Sequence, residues 1–196
     1  MNKPQIILIG AGGHCRSCID VIEMEGKFTV AGVIDRPDSG LTSVFGYPVL
    51  GEDADLPGLR EKYDFALVAV GQIKSPALRI QLFERLRSLG FDLPVIQSSR
   101  AYVSKHAKVG AGTIVMHDAL INAGASVGEN CIINSKALIE HDAIVGSHCH
   151  ISTGAIVNGE VSIGARTFFG SNAVCVHGIS IPEGSFIPAR SLERGS

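Results

Sequence analysis

The segment "KALIEHDAIVG", Lys136 to Gly146, sets a histidine between two acids, Glu140-His141-Asp142, within a run of apolar and small residues. An imidazole loses its proton near neutrality, so it can accept one from an attacking nucleophile. A carboxylate beside it can fix the tautomer and stabilise the imidazolium. The same triplet also suits a solvated corner of a repetitive scaffold, where His117 and His177 occupy the equivalent slot. Nearby, "GSHCHIS" supplies His148 and His150, while "GAGGHC", Gly10 to Cys15, and the C-x-x-C of Cys15 and Cys18 stand near the start of the chain.

The scaffold that must carry the triplet is a strict repeat. From Val103 the chain divides every six residues (VSKHAK, VGAGTI, VMHDAL, INAGAS and so on to IPARSL), and thirteen of fifteen first positions are Ile or Val. Fifth positions are mostly Ala, Thr, Cys or Ser. Such a period predicts one short strand and one corner per hexad, with the first residue inward, the small fifth residue filling the corner and polar residues outside. Three hexads complete a coil of a parallel β-helix, so residues eighteen apart stack in columns. β-Branched residues suit the inner ladder, and Gly or Asn at the second and fourth positions suits the corners. His141, Gly159 and His177 then form one outer column, in which Gly159 removes a side chain beside His141.

The first hundred residues read differently. "IILI" (Ile6 to Ile9) is a buried strand, "GAGGHC" a glycine turn, and Cys18, Ile19 and Ile22 the apolar stripe of a helix. A strand ending at Asp35 follows, then "DFALVAVG" as strand and "SPALRIQLFERLRSLG" as helix with Pro76 in its first turn. Strand and helix in alternation predict a parallel sheet covered by helices. The fold class is therefore an α/β N-terminal domain followed by a parallel β-helix of about five coils, with domains at 1–97 and 98–196. The glycine turn between strand and helix can hold phosphate oxygens on backbone N–H groups. The G-x-G-x-x-G fingerprint is broken by Cys15, so a single nucleotide diphosphate fits better than a dinucleotide, with Asp35 able to accept from its base or ribose.

Composition excludes several classes. Net charge is −2 without runs of one sign, which argues against nucleic acid or an anionic membrane as partner. The apolar run at Ile6 is too short for a signal-peptide core or a membrane span, and the expected location is the cytoplasm. Five cysteines, set in apolar-pattern positions, predict buried free thiols rather than a disulfide framework. The C-x-x-C pair lies at a helix start, where a thiolate pKa would fall, which leaves a redox or metal reading open.

Taken together, "GAGGH", "VID", "VAVGQIKSPALR" and "INSKALIEHDAIVGSHCHISTGAIVNGEVSIG" resemble bacterial acetyltransferases of the sialic-acid O-acetyltransferase type, including nucleotide-aminosugar N-acetyltransferases. The resemblance covers nearly the whole chain. It implies a left-handed β-helix binding acetyl-CoA, a Rossmann-like domain binding a nucleotide sugar, and a homotrimer with active sites between subunits. Carried over by motif, His141 is the general base and Asp142 its partner. His150 and Gly159 meet acetyl-CoA. The substrate is met by Gly12, Gly13, His14, Asp35, Arg36, Gly71, Gln72 and Asn134. No metal is expected. Relatives continue beyond the last hexad with a Gly/Pro-containing tail that helps hold CoA, whereas this chain ends at "IPARSLERGS".

The implied reaction is direct attack on the thioester by the amine of a nucleotide-linked sugar, with a 4-amino-4,6-dideoxy sugar as the expected acceptor and the nucleotide (UDP, GDP or dTDP) left open. Two alternatives stay open at this point. One is O-acetylation of a sialic-acid-like hydroxyl. The other is a zinc hydratase of the gamma carbonic anhydrase type, with His141, His148 and His150 as ligands.

Overall fold

A computed structural model describes residues 3–195 of the chain. Two compact units emerge: Met1–Gly71 with Ala77–Pro94, and Gln72–Pro76 with Val95–Ser196. The segment Gln72–Pro76, which interrupts the first unit in sequence, thus belongs with the second.

In the first unit β1 (Gln5–Ile9) leads into α1 (Gly13–Glu25), β2 (Thr29–Ile34), β3 (Ser43–Val44), β4 (Tyr47–Gly51), α2 (Leu56–Arg60), β5 (Phe65–Val68) and α3 (Ala77–Ser88). The sheet order is β3-β4-β2-β1-β5. All pairings are parallel except β3 with β4. Ile6 to Ile9 are buried, as expected for a central parallel strand covered on both faces. Since β2 and β5 flank β1 on opposite sides, the order reverses at the carboxyl end of β1. That crevice is where open α/β sheets receive ligands. Arg79 of α3, almost wholly buried, braces it by donating from Nη1 to the carbonyls of Val68 (2.7 Å) and Val70 (2.9 Å).

The second unit is the parallel β-helix. Its two-residue strands stack at an eighteen-residue interval on three faces. The first face runs from Tyr102–Val103 to Leu192–Glu193, the second from Lys108–Val109 to Ser180–Ile181, and the third from Ile96–Gln97 to Phe186–Ile187. First-position residues such as Ile121, Ile139 and Val157 fill the core, with the fifth-position Ala119, Ala137, Cys131 and Cys149 packed among them. The stack begins earlier than the repeat: Ile96 pairs with Ile114, although "IQSSRAY" lacks the hexad pattern.

Two details differ from the expectation. Corners do not need Gly or Asn at the fourth position. From Gly112 to Arg190 every sixth residue has positive φ, including Lys136, Glu160 and Arg166. A non-glycine residue there costs of the order of 1 kcal/mol, so the stacking ladder imposes the geometry on the corner. Nor is the outside uniformly polar. Outward residues of the first face are Tyr102, Leu120, Leu138, Ile156, Val174 and Leu192, an apolar stripe down its full length. The second face has Lys108, Ser126, Ile144, Ser162 and Ser180 at the same places.

Candidate active site

His141 and Asp142 are the central residues of the corner between the first and second faces. The Ala143 N–H donates to the Glu140 carbonyl (3.3 Å), and Asp142 has φ 58°. This is a type II turn, which holds the His141 and Asp142 side chains side by side. Asp142 Oδ2 accepts from His141 Nδ1 at 3.0 Å. Its other oxygen lies against Gly124 one coil earlier, where an added Cβ would collide with it. With Nδ1 so engaged, Nε2 is the proton-accepting nitrogen.

That hydrogen bond raises the His141 pKa above its ordinary 6.5. Desolvation opposes the rise, and the charges of Asp142, Glu140 and Glu160 add to it. Glu140 is more than a solvated neighbour. Its Oε2 accepts from Asn122 Nδ2 (2.7 Å) and from the backbone N–H of His141 (3.1 Å), pinning the turn from the preceding coil. Asn122 and Glu140 are eighteen residues apart, so a column-wise reading of the sequence would have paired them.

Gly159 is buried in the next coil beneath His141. A Cβ built on it would stand 2.7 Å from His141 Cε1 and Nε2 and 3.1 Å from His177 Nδ1. The space freed by glycine is therefore used by imidazole edges.

His150 lies elsewhere, on the third face, which is opposite the His141 corner. It is 8% exposed. Asn134 Nδ2 donates to its Nε2 (3.0 Å), an orientation fixed because Asn134 Oδ1 accepts from the Ser135 N–H. Nδ1 consequently carries the proton and donates to the Gln72 carbonyl at 2.5 Å. Gln72 Nε2 donates to the His148 carbonyl (3.0 Å), tying the 72–76 segment to the helix. Beyond His150 the Phe168 and Phe186 rings stack (centroids 5.1 Å, 15°). With Gln72, Lys74 and Arg166 they wall a cleft of about 240 Å³.

Thus Gln72, Asn134 and His150 form one cluster, and His141, Asp142 and Gly159 another. The three histidines of the zinc reading are dispersed over the corner, the next corner and the third face. His150 has both ring nitrogens engaged, and among the described residues no three His, Cys, Asp or Glu groups converge.

In the first unit the glycine turn sits at the switch point. An added Cβ at Gly10 (φ 103°) would lie 2.6 Å from Val70 Cγ2, so close strand packing requires glycine there. Gly12 and Gly13 face open space, so no side chain covers the N-terminal end of α1 and an anion can approach it closely. His14 Cβ lies 3.6 Å from the position a Gly71 Cβ would take, which brings those two loops together. Asp35 and Arg36, after β2, line a separate hollow of about 310 Å³ with Pro37, Leu41 and Glu52. The redox reading of Cys15 and Cys18 is overturned. Both thiols are buried, and burial pushes each up to about 12 rather than down. All five cysteines are free. Among the described residues no helix is long and apolar enough to cross a membrane.

Residues 5–86 match the profile of the PglD N-terminal domain, and residues 160–189 that of the hexapeptide repeat of succinyl-transferase. No curated protein sequence matches the chain. Among solved structures, PerB from Caulobacter crescentus, in complex with CoA and GDP-perosamine, is 32% identical, with a TM-score of 0.91 over 98% of this chain and 89% of that one. A histidine-to-asparagine variant of that organism's perosamine N-acetyltransferase, with the same ligands, superposes with a TM-score of 0.92 at the same identity and coverage. The acetyltransferase domain of PglB from Neisseria gonorrhoeae is 29% identical, with a TM-score of 0.88 over 99% of this chain and 93% of that one.

Proposed function

The chain belongs to the hexapeptide-repeat sugar N-acetyltransferases, and from that premise we propose that it moves the acetyl group of acetyl-CoA to the amine of a nucleotide-linked 4-amino-4,6-dideoxy sugar, with His141 as general base. The observation that carries the assignment of the base is the 3.0 Å hydrogen bond from His141 Nδ1 to Asp142, which leaves Nε2 as the acceptor. The amine nitrogen attacks the thioester carbonyl, and Nε2 takes its proton as the C–N bond forms. The imidazolium, held by Asp142, returns that proton to the sulfur as the C–S bond breaks. No acyl-enzyme is needed, since alignment of two bound substrates supplies much of the rate.

The donor lies along the third face. Phe168 and Phe186 offer an apolar wall, His150 a polar contact, and Lys74 and Arg166 cations for phosphate. The nucleotide is held by the N-terminus of α1 with His14 and Gly71, and its base by the hollow at Asp35 and Arg36. The enzyme works as a homotrimer. The apolar stripe from Tyr102 to Leu192 supports this, because a row of outward aliphatic residues calls for a covering partner. So does the separation of His141 from His150 on opposite sides of one helix, which a second copy can bridge.

The reading is tested by thiol release from acetyl-CoA with UDP-, GDP- and dTDP-linked 4-amino sugars, with and without a chelator. Release with one of them, unaffected by chelator, is expected. Silence across the panel would refute amine acetylation, and loss of release on chelation would refute the metal-free base.

A further inference from the structure

We propose that the hollow at the end of β2 selects guanine as the base of the nucleotide sugar, with Asp35 as the residue that reads it. The inference rests on the nucleotide-sugar reading given above and names the nucleotide.

Ile34, the last residue of β2, pairs with Ile9, and its carbonyl accepts from the Gly10 N–H at 2.7 Å. Asp35 therefore stands one strand away from the glycine turn, where it lines the hollow of about 310 Å³. Its charge reaches Cys15 at the start of α1, whose thiol is raised first by burial and then by this carboxylate. A nucleotide with its phosphates on the turn can thus lay its base over the ends of β2 and β4. The walls there are one-sided in their polar groups. The backbone N–H groups of Asp35, Ser39, Leu41, Val49, Glu52 and Asp55 are each given to a protein oxygen. Of the three carboxylates, Glu52 and Asp55 are tied to each other's backbone in a capping box, with Asp55 Oδ2 accepting from the Glu52 N–H at 2.9 Å. Among the described residues no group donates to the Asp35 carboxylate. The side-chain donors that remain are the Ser39 hydroxyl and the Arg36 guanidinium, which is 78% exposed and 3.7 Å from Asp38. Leu41 and Val49 supply apolar wall for the face of a ring.

Among the common bases only guanine carries two donors side by side, N1–H and the 2-amino group. A carboxylate is an acceptor alone, and its two oxygens match that pair in a bidentate contact. Uracil and thymine offer a single N3–H between two carbonyl oxygens. A carboxylate bonded to that N–H sets its second oxygen against a lone pair. Adenine and cytosine place a ring-nitrogen acceptor beside their one amino group and meet the same repulsion. Guanine O6, next to N1, takes Arg36 as its donor. The hollow therefore matches the edge of one base and opposes the others.

The test is calorimetric binding of GDP, inosine diphosphate, UDP and dTDP to the full chain and to Asp35→Ala. Inosine diphosphate lacks only the 2-amino group of guanine, and dTDP lacks the ribose 2′-hydroxyl. The wild type should bind GDP about tenfold or more tighter than inosine diphosphate, and tighter still than UDP or dTDP, as expected for losing one or both charge-assisted hydrogen bonds. Asp35→Ala should bring GDP and inosine diphosphate to within about threefold of each other and leave UDP no weaker than in the wild type. Equal binding of GDP and inosine diphosphate by the wild type overturns the proposal, a comparison that needs no variant to fold. So does UDP or dTDP bound as tightly as GDP. A loss in Asp35→Ala shared equally by GDP, inosine diphosphate and UDP but smaller for dTDP would put the carboxylate on the ribose, and overturns it too. These probes carry no amine and need no acetyl-CoA, so a failure of acetyl transfer leaves the result standing. Binding of none of them overturns the proposal and the nucleotide reading together.

Discussion

Substitution of Gly159 by alanine should separate catalysis from stability. The backbone of Gly159 is outside the left-handed region, so alanine brings no conformational strain of its own. Its methyl carbon would fall 2.7 Å from His141 Cε1 and Nε2. That is about 0.8 Å inside an ordinary carbon contact of ~3.5 Å, and the atoms it meets are the free end of an exposed side chain. The imidazole therefore swings away by that amount. A misplacement of about 1 Å at a reacting group costs about 10²-fold in rate, equivalent to about 2.7 kcal/mol of barrier. The cost to folding should stay below about 1 kcal/mol, since no buried group is unpaired and no cavity opens. The assay is kcat at saturating acetyl-CoA and amino sugar, with thermal denaturation run alongside. A wild-type kcat would refute the argument that Nε2 position matters. So would a kcat loss matched by general destabilisation, which would make Gly159 a packing residue only.

Asp142→Asn should move the acid limb of the pH–rate profile to lower pH, because the hydrogen bond that raises His141 is weakened and the base form persists further into acid. Plateau turnover should fall by about tenfold or more as support for the imidazolium is lost, and a limb that stays in place would contradict the assignment. By linkage, the raised His141 pKa contributes stability that is present below the ordinary 6.5 and lost as pH rises through the folded value. Ile156→Glu, in the middle of the apolar stripe, should shift light-scattering mass from trimer to monomer while circular dichroism stays native, and an unaltered trimer would move the interface elsewhere.

The β-helix was legible because its signal repeats. Each inward Ile or Val and each small fifth residue reports the same stacking geometry many times over. The Glu140-His141-Asp142 corner was legible for the opposite reason, as a charged departure from an otherwise uniform pattern. The column of His141, Gly159 and His177 was legible by the same arithmetic, but two other columns and a long-range contact escaped. Asn122 reaches Glu140 only because three hexads make a coil. The aliphatic stripe surfaces only when every eighteenth residue from Tyr102 is read together. The Gln72–Pro76 segment looks like a simple strand-to-helix loop, and nothing local announces that its carbonyl receives the Nδ1 proton of His150. Corner residues such as Lys136 and Arg166 have no left-handed preference to betray them, because the hydrogen-bond ladder between coils sets their φ. For Cys15 the local argument from a helix start was outweighed by burial, which sequence spacing alone does not weigh.

The central claim is that His141 accepts the proton of the attacking amine. The most direct measurement is single-turnover acetyl transfer by His141→Ala beside wild type, with product followed by mass and oligomeric state checked in the same samples. The account predicts a fall of about 10² to 10⁴-fold in the rate with trimer and melting temperature retained. A rate within a few-fold of wild type would contradict it.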